Sequence, residues 1–265
     1  MSKNNPDHEP VLIEETHGNV RILTLNRTAK KNALSNQLVS AIVNAMDRAN
    51  EDVDIRVIGI TGAGDTFCAG ADLSPTNKRD RATDTIETTV QLVTGIRLRC
   101  QKPVIAGLNG LAIGAGLSLA MCCDIRMASS AATFHPGYAR VGTSPDCGLT
   151  WSLPHAVGYE RAMRFLLEVE FIDAQQALAI GLIGEVTPAD SFAQAFLAYC
   201  QKIAEVAPLA ASQTKLQVSQ LGLPEDLEAL VRSELRYTGK GLASDDGKEA
   251  VRAIFEKRKP EFTGK

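Results

Sequence analysis

The segment 103–124 constrains the fold of this 265-residue chain more than any other part. Residues 104–106 are apolar and predict a buried strand, and the Asn-Gly pair at 109–110 is a turn signal. The Gly-Ala-Gly triplet at 114–116 then opens the apolar run 117–123, which predicts about two turns of buried helix. We therefore expect a buried strand, a glycine turn and a helix start in direct succession.

The start of this predicted helix is a candidate ligand site. The first N–H groups of a helix have no partner within the helix, and the helix dipole favours negative charge there. A tight turn without a ligand fits the same pattern. No third glycine follows Gly116 at the spacing of a dinucleotide fingerprint, and no Lys-Ser or Lys-Thr pair follows as in a phosphate loop. The pattern therefore leaves an anion site and a plain turn as the two interpretations.

Strand and helix patterns alternate over the first 190 residues. Residues 11–13 and 20–25 predict a hairpin, and Ser35 is a candidate N-cap for a helix over 36–50. The further predicted elements are strands at 57–61, 125–128 and 184–186, helices at 86–100, 159–167 and 173–180, and a flexible polar loop at 75–85.

The pattern changes after residue 190. Four helical segments follow with no strand between them, over 191–206, 209–220, 225–237 and 245–257. Units of strand, glycine turn and helix predict an α/β spiral or sandwich whose turns gather on one side, where ligand sites lie. We therefore predict a core over residues 1–190 that holds the site, and a helical region over 191–265.

Composition and charge argue against several classes of protein. The net charge is −3 and there is no long basic run, so nucleic acid and anionic membranes are not favoured as partners. The six cysteines form no CxxC pair and the four histidines no ligand pattern, so we expect reduced thiols and no metal site. The polar N-terminus has no apolar signal segment, and no apolar stretch is long enough to span a bilayer. We expect a cytoplasmic protein.

Several motifs together resemble the enoyl-CoA hydratase/isomerase (crotonase) superfamily over nearly the whole chain. In order they are NR at 26–27, NAL at 32–34, AGADL at 69–73, KPVIA at 102–106, NG at 109–110, GAG at 114–116, CD at 123–124, GLI at 181–183 and EKRK at 256–259. The resemblance implies a crotonase-like spiral of ββα units that binds an acyl-CoA thioester. It also implies C-terminal helices that pack into a homotrimer or a dimer of trimers. Coenzyme A enters as part of the substrate, and no further cofactor is implied.

The resemblance also implies the roles of individual residues. Members of this superfamily hold the thioester oxygen with two backbone N–H groups and so stabilise an enolate; the matching residues are Ala71 and Ala115. The residues that match the CoA-binding positions are Lys30, Lys31, Ala33, Ala69, Asp72, Leu73, Gly114, Tyr138, Phe255 and Lys257. Tight packing at the two turns, and lysines that are merely solvated, are the alternatives.

The acid–base positions depart from those of a hydratase. Hydratases of this superfamily use two glutamates, and we match their positions to Ser118 and Gly137, neither of which can move a proton as a carboxylate does. One acid remains, Asp146, where most hydratases carry glycine. The superfamily members with an acid at this point include several isomerases and a dehalogenase.

We therefore predict an enoyl-CoA double-bond isomerase with Asp146 as a proton shuttle. A single carboxylate can serve if both of its protonation states are reachable, and Tyr138, Leu149 and Trp151 are the expected apolar walls. The alternatives are an enoyl-CoA hydratase, a hydrolase or dehalogenase with Asp146 as nucleophile, and a non-catalytic acyl-CoA binding protein. Asp146 could also be a helix N-cap.

Overall fold

Ten strands and ten α-helices make up the part of the chain that the computed structural model describes, residues 10–73, 82–222 and 226–261. The strands are β1 (Leu12–His17), β2 (Val20–Leu25), β3 (Val57–Gly62), β4 (Thr66–Cys68), β5 (Val104–Leu108), β6 (Leu111–Ile113), β7 (Ile125–Ser129), β8 (Thr133–His135), β9 (Ile172–Asp173) and β10 (Glu185–Thr187). The helices are α1 (Asn36–Glu51), α2 (Ala82–Thr94), α3 (Ala115–Cys122), α4 (Leu149–Val157), α5 (Tyr159–Glu168), α6 (Ala174–Ala179), α7 (Phe192–Ala204), α8 (Pro208–Gly222), α9 (Leu227–Ala243) and α10 (Asp245–Phe255).

The strands form two sheets. The larger sheet has the order β1-β2-β3-β5-β7-β10 and the smaller sheet the order β4-β6-β8-β9. Pairing is antiparallel in β1–β2 and β8–β9 and parallel elsewhere. Strands β3, β5 and β7 enter the larger sheet, and the strand that follows each of them enters the smaller one. Successive units of strand, strand and helix therefore advance along the molecule, which confirms the predicted spiral of ββα units.

Helix α1 shows how the apolar pattern places an element on the core. The Ser35 side chain accepts a hydrogen bond from Leu38 N at 3.2 Å and begins the helix, as predicted. Leu38, Ile42 and Met46 recur at helical spacing and are buried. They belong to the main hydrophobic core, together with Leu23 of the adjacent sheet.

The other face of the larger sheet is covered by α7. The ring of Phe196 lies over Gly59 and Gly107, where an added Cβ would come within 3.0 and 2.7 Å of it. A side chain at either glycine would displace the ring, so these positions set how closely α7 approaches the sheet.

Helix α8 is tied to the spiral by a buried lysine. The Lys215 ammonium lies 2.9 Å from Asp124 Oδ2, and it donates to the main-chain oxygens of Ile96 at 3.0 Å and Lys102 at 2.9 Å. A buried charge is tolerated where it is paired and hydrogen-bonded, as it is here.

Some elements differ from the sequence prediction. The three-residue strands β4, β6 and β8 were not predicted because so short a run cannot be told from a turn by periodicity. Helix α2 begins at Ala82, inside the predicted 75–85 loop, whose residues 75–81 lie outside the described residues. It ends at Thr94 and continues as a wider helical turn, Gly95–Arg99. Helix α4 is absent from the sequence prediction because it contains Pro154, a residue that normally interrupts a helix.

Candidate active site

Residues 69–73 form the first of two backbone turns that meet beside α3. This turn is joined to the segment before α1, since Leu34 N donates to Gly70 O at 2.7 Å and Asp72 N donates to Leu34 O at 3.0 Å. The two bonds use the peptide groups on either side of Ala71. The N–H of Ala71 therefore points away from Leu34, because the C=O and N–H of one trans peptide group point in opposite directions and the Gly70 C=O points towards Leu34.

The second turn leads directly into α3. Gly114 has φ +52° and precedes Ala115, the first residue of the helix, whose N–H has no acceptor within the helix. A Cβ on Gly70 would lie 2.9 Å from Ile113 O and 3.6 Å from Ala115 N, so the two turns are in contact. Ala71 and Ala115 consequently border one cleft. Two backbone N–H groups directed into one cleft are suited to holding a single oxygen.

The cleft beside these turns has two lobes. Ala71, Ala115, Asp146, Thr238 and Leu242 border both lobes. The residues that border the first lobe alone include Ala69, Leu73, Gly114, Gly137, Tyr138 and Val141. Those that border the second lobe alone include Leu34, Val39, Ile86, Leu92, Leu235 and Arg236. Ala71, Ala115 and Asp146, the one carboxylate among the described residues that border the lobes, therefore lie where the lobes join.

Asp146 is held by a chain of hydroxyl groups. The Tyr138 hydroxyl donates to Asp146 Oδ1 at 2.6 Å, and Ser118 Oγ lies 2.7 Å from the Tyr138 oxygen. Burial and the nearby Asp146 raise the pKa of Tyr138 well above its ordinary value, so this tyrosine stays protonated. Tyr138, and not the neighbouring Gly137, is thus the residue that faces Ser118 across the site.

Glu234 of α9 caps the start of α4. Its carboxylate accepts hydrogen bonds from Gly148 N at 2.6 Å, Thr150 N at 3.0 Å and the Thr150 hydroxyl. The Asp146 carboxylate, in contrast, is bonded to Tyr138. The side chain that satisfies the free N–H groups at this helix start is therefore Glu234, which argues against Asp146 as the N-cap.

Glu234 has an unusual protonation equilibrium. Its side chain is buried, and desolvation raises its pKa to about 7 despite the hydrogen bonds that favour the charged form. The charge of Asp146 adds to this rise in pKa, so the two carboxyl groups sense each other.

The lysines expected to bind CoA lie at the rim of the first turn. Lys30 and Lys31 are exposed, and Lys31 O accepts from Ala69 N at 3.0 Å, which brings this loop beside the cleft. Ala33 is buried, and its main-chain oxygen accepts a hydrogen bond from Arg27. Asp72 is also buried, with its carboxylate 2.8 Å from the Arg27 guanidinium. Asp72 therefore supports the turn rather than lining either lobe.

The other predicted residues fall into two groups. Ala69, Leu73, Gly114 and Tyr138 line the first lobe. Phe255 and Lys257 are exposed near the end of α10 and border neither lobe of the described cleft. Within one chain the structure does not bring these last two residues to the site.

The apolar walls predicted for Asp146 need correction. Tyr138 lines the cleft, but Leu149 is fully buried in the core, and Trp151 lies against the Arg97 guanidinium and the His155 ring. Cys147 borders the second lobe, and burial raises the pKa of its thiol well above the ordinary value, which makes it a poor nucleophile.

Three features of the site were missed at the sequence level. Glu234, Thr238 and Leu242 come from α9, more than eighty residues beyond Asp146, and no local pattern links them to it. The available signal was Glu234 itself, an acidic residue on the buried stripe of a helix, at helical spacing from Leu227 and Val231. Among the described residues no group of three His, Cys, Asp or Glu side chains could hold a metal ion.

None of the helices within residues 10–73, 82–222 and 226–261 combines the length and apolar character needed to cross a bilayer.

Comparison with known proteins agrees with this geometry. The family model described as enoyl-CoA hydratase/isomerase matches residues 15–265. The 2,3-dehydroadipyl-CoA hydratase of Escherichia coli K12 is 36% identical over 254 residues, which cover 96% of this chain and 99% of that protein. A crystal structure of an enoyl-CoA hydratase/isomerase from Pseudoalteromonas atlantica T6c is 33% identical with a TM-score of 0.87, covering 96% of this chain and 100% of that one. A monofunctional enoyl CoA isomerase from M. smegmatis is 27% identical with a TM-score of 0.71, covering 83% and 97%. The chain belongs to the enoyl-CoA hydratase/isomerase family.

Proposed function

We propose that this protein is an enoyl-CoA double-bond isomerase in which Asp146 moves the proton. The observation that carries the proposal is that Asp146, the one carboxylate among the described residues lining the cleft, lies at the junction of two lobes that Ala71 and Ala115 also border. The family binds acyl-CoA thioesters, and a thioester oxygen at those two peptide groups would place the adjacent carbons beside Asp146.

The reaction needs one base that later acts as an acid. In the 3-enoyl direction, the Asp146 carboxylate takes a proton from C2, and the C2–H electron pair moves to the thioester oxygen to give a dienolate. The Ala71 and Ala115 N–H groups stabilise this oxygen. Asp146 then returns the proton to C4 as the 3,4 double bond becomes the 2,3 double bond and the carbonyl re-forms. Mass and charge are unchanged overall.

The other side chains of the site support isomerisation over hydration. Ser118 and Tyr138 face each other with hydroxyl oxygens 2.7 Å apart, and burial keeps the tyrosine neutral. Neither group can activate water as a pair of carboxylates would. Hydration is the second candidate, because the E. coli relative is named as a hydratase.

We further propose that CoA follows the first lobe and that the acyl group occupies the second. Ala69 and Leu73 border the first lobe, and the exposed Lys30 and Lys31 lie beside its turn, where they can meet phosphate groups. The reaction as proposed needs no cofactor beyond the CoA of the thioester. Phe255 and Lys257 would then contact the CoA bound to a neighbouring copy.

The proposal is tested by incubating the protein with a 3-enoyl-CoA and, separately, with a 2-enoyl-CoA, followed by mass spectrometry and ultraviolet spectra. We expect the 3-enoyl-CoA to become the 2-enoyl-CoA at unchanged mass. Gain of one water by the 2-enoyl-CoA at an enzymatic rate, without isomerisation, would identify a hydratase. An acyl group attached to the protein would indicate Asp146 as a nucleophile, and binding without turnover of either thioester would indicate a binding protein.

A further inference from the structure

We propose that Tyr138 and Ser118 are positioning residues for Asp146, forming a reversible hydrogen-bond chain that serves both of its protonation states. The inference rests on the proposed function, since a proton shuttle must be stable both as the carboxylate and as the acid. A buried polar network stabilises a site only if every donor and acceptor is satisfied. The three side chains satisfy this condition in two ways.

The first arrangement fits the ionised carboxylate. The Tyr138 hydroxyl donates its only hydrogen to Asp146 Oδ1 at 2.6 Å. The Ser118 hydroxyl, 2.7 Å from the Tyr138 oxygen, then donates to that oxygen. The direction of donation runs from Ser118 through Tyr138 to Asp146, and the chain ends on the negative charge.

The second arrangement fits the protonated acid with the same heavy-atom positions. The Asp146 O–H donates to the Tyr138 oxygen, and the Tyr138 hydroxyl turns to donate to Ser118 Oγ. The Ser118 hydrogen then reaches Gly114 O, which lies 3.2 Å from its oxygen. The direction is reversed, and the chain ends on a main-chain carbonyl in the turn that carries Ala115.

The chain itself remains neutral in both states. Ser118 is fully buried and Tyr138 nearly so, and the pKa of Tyr138 is raised well above its ordinary value by burial and by Asp146. Only hydrogens of hydroxyl groups rotate when Asp146 gains or loses its proton. We infer that this lowers the reorganisation needed during catalysis, because no side chain has to move.

The two hydroxyl groups have opposite effects on the Asp146 equilibrium. Tyr138→Phe removes a charge-assisted bond from the carboxylate but only a neutral bond from the acid, so the pKa of Asp146 should rise by about one unit. Ser118→Ala leaves the carboxylate its donor but leaves the Tyr138 O–H without an acceptor in the acid form. The pKa of Asp146 should then fall.

The titration of Asp146 must be distinguished from that of the other ionisable groups near it. Arg236 of α9 and Cys147 border the second lobe beside Asp146, and the buried Glu234 of α9 and Cys122 of α3 interact with Asp146 electrostatically. Glu234 has a pKa of about 7, inside the working range of the assay, whereas burial raises the pKa values of both thiols beyond it. All measurements are therefore made in the Glu234→Gln background as well as in the natural chain.

The test is an infrared titration of the protein with two readouts. The C=O stretch of protonated Asp146, identified by its loss in Asp146→Asn, gives the pKa without turnover, and the pH profile of kcat/KM for 3-enoyl-CoA gives it during isomerisation. Tyr159→Phe, an exposed tyrosine on α5, is the matched control.

We expect Tyr138→Phe to raise the Asp146 pKa by about one unit and Ser118→Ala to lower it, with no change in Tyr159→Phe. If the pKa of Asp146 shifts in the same direction in both variants, or shifts in neither, the proposed hydrogen-bond chain is wrong. An infrared result as expected, from a protein that does not isomerise 3-enoyl-CoA, would contradict the proposed function and leave the hydrogen-bond chain standing.

Discussion

Gly116 allows the two turns of the site to pack closely, because glycine has no side chain. A Cβ at this position would lie 2.3 Å from Cys68 O and 2.8 Å from Cys68 Sγ, closer than atoms can pack. Cys68 ends β4 and leads into the turn that carries Ala71, while Gly116 follows Ala115. The distance between the two peptide donors therefore depends on the absence of a side chain here.

Gly116→Ala should separate the two donors or destabilise the fold. We expect a decrease in the isomerisation rate of roughly 10²–10³, the cost of losing one oxyanion donor. Activity and denaturant unfolding measure the two effects. Gly184→Ala is the matched control, because an added Cβ there would lie at an ordinary 3.6 Å from Arg126 O. Equal rates and equal stabilities in the two variants would mean that β4 and α3 move apart without disturbing the site.

At the scale of elements, α9 acts on the site through Glu234. The pKa of this carboxyl is raised from 4.5 to about 7 in the folded protein by desolvation. Between these values the folded state binds more protons than the unfolded state, so the free energy of unfolding falls as the pH rises through this window. The shift corresponds to on the order of 3 kcal/mol.

Glu234→Gln should remove this part of the pH dependence. Its amide oxygen can still accept hydrogen bonds from Gly148 or Thr150, but it does not ionise. The free energy of unfolding is measured with denaturant between pH 4.5 and 8. The difference between Glu234→Gln and the natural chain should therefore shift in favour of the variant as the pH rises. Glu205→Gln, at an exposed position, controls for loss of an ordinary carboxylate. Parallel pH profiles for all three proteins would show that Glu234 has an ordinary pKa.

Lys215 is the corresponding contact between α8 and the spiral. Lys215→Met should lower the free energy of unfolding by about 3 kcal/mol, because Asp124 loses its closest partner and two buried carbonyl groups lose a donor. Lys202→Met, at an exposed position on α7, should change stability little. Thermal or denaturant unfolding of the two variants makes the comparison. A loss no larger in Lys215→Met than in Lys202→Met would refute the anchoring role.

The elements differ in how far the sequence could predict them. The strands β2, β3 and β5 follow from continuous apolar runs, and α1 from its cap and spacing. Short strands such as β4 are defined by their neighbours in the sheet rather than by their own residues. The turns with Ala71 and Ala115 were predictable from glycine and motif patterns. The pairing of Glu234 with α4 was not, because it joins residues 84 and 86 positions apart.

At the scale of the whole molecule, the helices after residue 190 carry exposed apolar side chains. Leu209 is 69% exposed, Val218 66%, Tyr237 61% and Phe255 60%. Such side chains on α8, α9 and α10 are typical of a surface that another subunit covers. We expect three copies of the 28.4 kDa chain, about 85 kDa, or twice that number in a dimer of trimers. Analytical ultracentrifugation at micromolar concentrations measures the mass of the assembly. A single species with the mass of one chain would exclude the trimer and the dimer of trimers.

The most direct test of the account is the rate at which Asp146→Asn converts 3-enoyl-CoA to 2-enoyl-CoA. Asparagine keeps the size of the side chain and removes its ability to take a proton, so we expect a loss of about 10³ or more in rate with thioester binding retained. Asp245→Asn, at an exposed position on α10, should retain the natural rate. A rate in Asp146→Asn within about tenfold of the natural chain would contradict the account, because a general base typically contributes 10²–10⁴.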